Sequence, residues 1–452
     1  MDGQTHVLYP HLRHRLPLID RGEGIYLFDD TGKRYLDGSS GAVVANLGHG
    51  VPEIVQAMAA QASRVAFVYR TQFGSQPLED LAAAVCRLTP PGLERCFFVN
   101  SGSEATEIAL KLARQYHLEA GRPTKYWAIS RWTSYHGGTL GALSLSGHPA
   151  RRRSLAPLLH PFPAIPPAYC YRCFAGLTYP QCKLRCAAEL ETALLRLGPQ
   201  YVAAFFAEPI VGASGGAIVP PPGYFQTIRQ ICCRHQVLLI ADEVMTGFGR
   251  TGRNFGLDHW EIAPDIMVLG KGISAGYVAL AGVVVSDEVY AALQGGSGRF
   301  TAGHTLANNP LACATGVAVL RYLVEHDLVR RAAELGPYLG TRLQELADRH
   351  PTVGEVRGKG LFWGLEFVRQ RQSREPFPPE TGFTAALVAE CFRRGLIVYS
   401  AAGGVDGSRG DAILVAPPLV IDRYQVDELV GLLDESLTTL ETPLTALETT
   451  LK

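Results

Sequence analysis

The chain holds 452 residues, 47% hydrophobic and 19% charged, and its 42 basic and 42 acidic side chains cancel to a formal net charge of zero. That length exceeds what one hydrophobic core usually supports, so a large domain with a smaller companion is expected, and the neutral balance excludes an electrostatic lure for nucleic acid or an anionic membrane. No segment reaches the roughly 18 unbroken apolar residues of a membrane span, and the first residues lack an apolar secretory core behind a basic flank, which together predict a cytoplasmic protein.

In chain order, residues 24–37, GIYLFDDTGKRYLD, alternate around Asp-Asp-Thr-Gly and predict a hairpin. The segment SSGAVVANLGHGVPE then leads into a helical pattern at Ile54, Met58, Gln61 and Ala62. From there short apolar runs recur, each closing on polar or glycine-rich residues: RCFFVNSGS, KYWAISRWTSYHGG, YVAAFFAEPIVG, VLLIADEVMTG and DIMVLGKGISAG. A second helical pattern, Ala105, Ile108, Ala109 and Leu112, lies between the first two. This alternation predicts an α/β fold with a mostly parallel sheet wrapped by helices. From about residue 325 the tail mixes helices (326–349 and 382–394) with short strands at GLFWGLEF and AILVAPP. The expected organisation is a small α+β domain built from residues 1–55 and 325–452, around a large domain over 56–324.

Ligands of open α/β sheets lie outside the carboxyl ends of the strands, so the residues just after each apolar run are the chemical candidates. They are Ser101, Gly102 and Ser103; Tyr135 and His136; Glu208; Asp242; and Lys271. Ser-Gly-Ser opening a helix exposes backbone N–H groups where an anion or phosphate is favoured, although a plain serine cap accounts for the same residues. Asp242 follows five aliphatic residues, where an ionised carboxylate needs a cation such as a protonated ring nitrogen; pairing with Arg250 is the alternative. Lys271 is one of only seven lysines against 35 arginines. Among apolar residues and near another cation its amine is pushed toward the neutral form, the nucleophile that condenses with an aldehyde. A phosphate cradle, an aromatic plate, a buried acid and a desolvated lysine are together what pyridoxal 5′-phosphate requires. The run Gly247-Phe-Gly-Arg-Thr-Gly matches a dinucleotide-binding spacing, but no helix pattern follows it and two acids precede it, so that reading is set aside.

The segments GIYLFDDTGKRYLDGSSG, NSGSEATEIALKLAR, YHGGTLGALS, AEPIVGASGGAIVPPPGY, LLIADEVMTGFGRTG, GHTLANNPLACA, VRGKGLFWGLEF and LVAPPLVID resemble those of the class III pyridoxal-phosphate aminotransferases, the ω-aminotransferase branch of fold type I. The resemblance runs across nearly the whole chain. It implies a seven-stranded large domain, a small domain from both termini and a homodimer with shared active sites. It further implies that Gly102 and Ser103 bind the cofactor phosphate, Tyr135 stacks on the ring, Asp242 holds the ring nitrogen protonated and Lys271 links to the aldehyde. Ser101, His136 and Val244 belong to the same cofactor site, Thr305 reaches the neighbouring subunit's phosphate, and Glu208 pairs with or gates an active-site arginine. Lys359 takes no catalytic role. The implied reaction is a ping-pong transfer of an amino group from an amine or ω-amino acid to a 2-oxo acid, pyruvate or 2-oxoglutarate; a lyase, epimerase or aminomutase on the same scaffold is the alternative.

Relatives often bind the substrate carboxylate with an arginine in the last quarter of the chain, because a planar fork suits it. Here that place falls at Tyr399 or its neighbour. Arg409 and, beside Tyr69, Arg70 are the candidates on the substrate side, and Val43 replaces a large aromatic of some relatives, implying a roomier site. Cys170, Cys173, Cys182 and Cys186 have a spacing that could hold a structural metal, close a disulfide or remain free; no metal is assigned to the site. The other six cysteines are expected to be small buried hydrophobes.

Overall fold

A computed structural model describes residues 6–10, 12, 13 and 15–450. The apolar runs form a seven-stranded sheet in the spatial order Leu93–Val99, Ala281–Ser286, Ile266–Leu269, Leu238–Asp242, Val202–Ala207, Trp127–Arg131, Ala164–Ile165. All neighbouring pairs are parallel except those made by Ala281–Ser286, which runs antiparallel to both Leu93–Val99 and Ile266–Leu269. That strand was not singled out in GYVALAGVVVSDE: its polar end, Ser286-Asp287-Glu288, opens helix Asp287–Gly295 and, because the strand is antiparallel, lies at the opposite edge of the sheet from the candidate residues. The central strands Val202–Ala207 and Leu238–Asp242 are buried along their whole length, as a sheet covered on both faces demands. Glu243 lies directly after this second strand and accepts hydrogen bonds from Gly256 N at 2.7 Å and Leu257 N at 2.9 Å. It thereby ties down the glycine-rich 247–252 turn, which leads to the short 3₁₀ turn Gly256–Trp260 and to no phosphate-binding helix.

Two four-stranded sheets flank this core. In one, the hairpin Tyr26–Asp29/Arg34–Asp37 pairs in parallel with Leu396–Ile397, so the two ends of the chain share a sheet. The other runs Val353–Lys359, Phe362–Phe367, Asp411–Val415, Tyr399–Ser400. The tail helices span Leu328–Arg349 and Phe383–Arg393. Arg250 joins the parts. It is fully buried, and its guanidinium donates to Leu361 O at 3.0 Å, Pro417 O at 2.5 Å, Ser40 Oγ at 3.1 Å and Asn46 Oδ1 at 2.7 Å. One cation therefore cross-links an early segment, the central sheet and two late segments. It does not pair with Asp242.

All ten cysteines are free thiols. Cys232, Cys313 and Cys391 are buried, as expected of small hydrophobes, but Cys233 is exposed on the outer face of helix Tyr224–His235. The four spaced cysteines lie on a turn-rich loop and at the start of helix Arg185–Leu197. Burial raises the Cys170 thiol, with Cys182 and Cys173 adding to the rise, and lifts Cys186 to about 11. Among the described residues no group of three or more His, Cys, Asp or Glu is arranged to hold a metal ion, and no helix is long and apolar enough to cross a membrane.

Candidate active site

The carboxyl ends of the central strands close on a cavity of about 160 Å³. Helix Gly102–Glu119 begins at its wall. Ser101 caps the helix, accepting from Glu104 N at 3.3 Å, while the Glu104 carboxylate accepts from Ser101 N at 3.2 Å and Asn100 N at 2.8 Å. This reciprocal capping holds Ser101 outside the cavity and leaves Gly102 and Ser103 lining it. Space there is tight. A Cβ on Gly102 would lie 3.2 Å from Val244 Cγ1 and Cγ2, and a Cβ on Gly137, whose φ is +137°, would meet Ser103 Oγ at 2.6 Å. A side chain at Gly102 would crowd Val244, and Gly137 combines a positive φ with contact to Ser103, so glycine keeps the cavity walls closely packed at both positions.

Asp242 ends its strand in the cavity wall, 4% exposed. Its Oδ2 lies 2.7 Å from His136 Nδ1 and its Oδ1 accepts from Val244 N at 3.1 Å. His136 is buried too, and its Nε2 has no partner. The ring thus fixes the orientation of the carboxylate from behind. Glu208, at the end of the adjacent strand, is also buried and accepts from Tyr135 N at 3.0 Å and Gly212 N at 2.9 Å. Burial raises its pKa, partly answered by His136 and reinforced by Asp242. No arginine ion-pairs with this carboxylate among the described residues; its two oxygens are committed to backbone N–H groups, and it holds the segment that carries Tyr135.

Lys271 follows Ile266–Leu269 in a left-handed conformation, φ 46°, and its Nζ donates to Ala42 O at 2.6 Å. The side chain faces the cavity and is reached through its mouth, yet burial still dominates and lowers the amine from its usual 10.5 to about 8. Asp242 and Glu208 oppose that shift, while Arg250 and Arg151 add to it. The contact with Ala42 was not anticipated, because nothing in GAVVANLG announces that it reaches across to a residue 229 positions later.

The cavity therefore gathers Gly102, Ser103, Tyr135, His136, Glu208, Asp242, Val244 and Lys271. Val43 packs, 1% exposed, in the apolar cluster that includes Tyr135, Met245 and Tyr399. Thr305 is exposed and does not line the cavity. The substrate-side candidates lie outside it as well. Arg409 is exposed and bound to Asp406 at 2.7 Å, Arg70 packs 5.7 Å from the Phe97 ring centroid and against Gly303, and Tyr69 is exposed.

The arrangement suits pyridoxal 5′-phosphate. The glycine-lined start of an 18-residue helix offers unpaired N–H groups to a phosphate. Tyr135 offers a ring face, Asp242 an anchored carboxylate for a protonated nitrogen, and Lys271 an amine lowered toward neutrality.

The family model for class-III aminotransferases matches residues 9–437. The chain is 44% identical to an uncharacterized aminotransferase, YodT, of Bacillus subtilis (strain 168), over 97% of this chain and 98% of that one. It is 39% identical to a putrescine–pyruvate aminotransferase of Pseudomonas aeruginosa, over 93% of this chain and 90% of the relative. Among solved structures, an (S)-enantioselective omega-transaminase from Thermomicrobium roseum superposes with a TM-score of 0.89 at 39% identity, covering 96% of each chain. An amine transaminase from an uncultivated Pseudomonas species in its PLP-bound form gives 0.90 at 34% identity, covering 97% of this chain and 100% of that one.

Proposed function

Because the chain belongs to the class-III aminotransferases, enzymes that work with pyridoxal 5′-phosphate, we propose that it moves an amino group from an amine or ω-amino acid to a 2-oxo acid, pyruvate or 2-oxoglutarate, by a ping-pong cycle. The observation that carries this reading is the convergence of Lys271, Asp242 and Tyr135 on one cavity at the start of helix Gly102–Glu119. The putrescine–pyruvate relative supports a donor that need carry no carboxylate.

When bound, the cofactor supplies an aldehyde that condenses with amines and a protonated ring that accepts electron density from the carbon losing its proton. The chain's own residues do the rest. N–H groups at Gly102 and Ser103 receive the phosphate, joined by Thr305 from a second copy in the homodimer. Tyr135 covers the ring, and its backbone N–H is held by Glu208. Asp242, pinned by His136, keeps a positive charge on the ring nitrogen. Lys271 would hold the cofactor aldehyde, and its amine, lowered by burial to about 8, would be placed to carry a proton from the substrate carbon.

A panel of amine donors run against pyruvate and 2-oxoglutarate, following alanine and glutamate, tests the proposal. Donor alone should convert the cofactor to its pyridoxamine form. Release of ammonia with no acceptor and no such conversion would sink transamination in favour of elimination.

A further inference from the structure

Besides Arg70, which packs on the Phe97 ring, four arginines lie in the segments around the cavity, and three of them are set aside by their partners or their burial. Arg409 is held by Asp406, and Arg152 Nη1 donates to Leu143 O, Ser144 O and Ser146 O at 3.0, 2.8 and 2.7 Å. Arg131 is fully buried against the Tyr224 and Phe225 rings and does not line the cavity; its Nη2 donates to Glu208 O while Nε and Nη1 have no partner. Arg151 is the fourth. Its guanidinium carbon lies 4.3 Å from the centroid of the Tyr135 ring, and that ring lines the Lys271 cavity. Its Nη2 donates to Tyr399 Oη at 3.3 Å. It forms no ion pair with a carboxylate among the described residues, and it is one of the cations whose field reaches the Lys271 amine. The segment carrying it is buttressed from the other side of the rim: a Cβ on Gly407, φ +86°, would come within 2.2 Å of Pro149 Cγ, so the 402–410 loop rests against the start of helix Pro149–Arg152.

We propose that Arg151 receives the carboxylate of the 2-oxo acid, and of the amino acid formed from it, with the Tyr399 hydroxyl setting the guanidinium over Tyr135. The inference rests on the transaminase reading above and names the specificity residue of that site. A planar cation stacked on an aromatic face keeps its N–H edge free for a bidentate carboxylate. Arg151 is itself exposed, so an amine that carries no carboxylate leaves no buried charge unpaired there. One site then serves amines and acids in alternate halves of the cycle.

The test uses the cofactor-loaded enzyme and Arg151→Gln, Arg151→Lys and Tyr399→Phe. Two readouts are compared: KM for pyruvate against kcat, and equilibrium binding of propanoate, an unreactive carboxylate, read from the cofactor absorbance. In Arg151→Gln both KM and the propanoate Kd should rise by about ten- to a hundredfold, the range for a charge-assisted hydrogen-bonded pair, while conversion to the pyridoxamine form by a carboxylate-free amine falls far less. Arg151→Lys should recover part of the loss, and Tyr399→Phe should show the same pattern in milder form. Unchanged propanoate binding and pyruvate KM in Arg151→Gln would overturn the proposal, as would an equal fall in the amine half-reaction. Failure of every amine to convert the wild-type cofactor would instead overturn the transaminase reading, and propanoate binding separates the two failures.

Discussion

Two cations close to the carboxyl edge of the same sheet, one fully buried and one lining a cavity, have opposite surroundings. Arg250 and Lys271 are 21 positions apart in sequence, and burial pushes both down, to about 9 and about 8. Around Arg250 both terminal nitrogens are fully engaged, by two backbone carbonyls, a hydroxyl and an amide oxygen, and only Nε is left without a partner. Around Lys271 a single carbonyl, Ala42 O, receives Nζ, and the rest of its surroundings is a cavity. A satisfied buried cation is an architectural rivet, because removing it strands its acceptors. An under-satisfied one beside open space is available for chemistry.

The largest expected effect comes from the second kind. Lys271→Ala should lose at least about 10³-fold in turnover and all covalent retention of the cofactor, since on the proposed reading it removes both the condensing amine and the proton carrier. The stability of the apoenzyme should not fall, because burial disfavours the charged amine there. Denaturant unfolding of the two apo forms, beside turnover, checks both halves; an apoenzyme destabilised as much as an Arg250 variant would erase the distinction.

Arg250→Met should do the reverse. Four acceptors lose their donor, two of them in the late part of the chain and two near residues 40 and 46, so unfolding free energy should fall by about 3–5 kcal/mol. Thermal and denaturant unfolding measure this directly. Any loss of turnover should follow the loss of folded protein.

Asp242→Asn sharpens the comparison from the cavity side. The amide keeps the shape and one acceptor toward His136 but cannot hold a positive ring nitrogen, so turnover should fall by roughly 10²–10³-fold, the range for removing one preorganised electrostatic partner. Cofactor retention should change much less, because the phosphate cradle and Lys271 are untouched. Turnover and the cofactor dissociation constant, measured together, separate the two roles.

How much of this was legible depended on whether a role belongs to one contiguous segment. Gly102 and Ser103, proposed for the phosphate, and Asp242 and Lys271 each stand at the end of an apolar run, where the chain must leave the sheet and where α/β proteins place ligands. Arg250 resisted reading because its four partners come from residues 40, 46, 361 and 417, and no local pattern encodes such a meeting. Arg151 was missed for a related reason: Tyr135 is near it in sequence, but the hydroxyl that holds its guanidinium belongs to Tyr399, 248 positions later, and no local pattern encodes that meeting. Arg409 drew attention by sequence proximity, but a local turn around Asp406 occupies it.

Lys125 provides the smallest and most discriminating test, because it resembles Lys271 in sequence and Arg250 in surroundings. It too borders an apolar run, but at the amino end of Trp127–Arg131, away from the ligand edge of the sheet. Its Nζ donates to Pro199 O at 2.7 Å, Val202 O at 2.8 Å and His235 O at 3.0 Å, and the residue is 4% exposed. Burial, with Arg122 adding to it, lowers its pKa to about 8. Lys125→Met forfeits three hydrogen bonds but also removes a buried charge, so the net loss near neutral pH should be only about 1–2 kcal/mol, with turnover per folded molecule unchanged. The sign of the pH dependence then identifies the buried amine. Between about pH 8 and the unfolded value near 10.5, the unfolded chain keeps the Lys125 proton and the folded chain does not, so wild-type stability gains from this group as pH rises. Lys125→Met lacks that gain. The stability gap between the two proteins should therefore widen from pH 8 to pH 10, and a gap that stayed flat would place the Lys125 amine in water rather than among its three carbonyls.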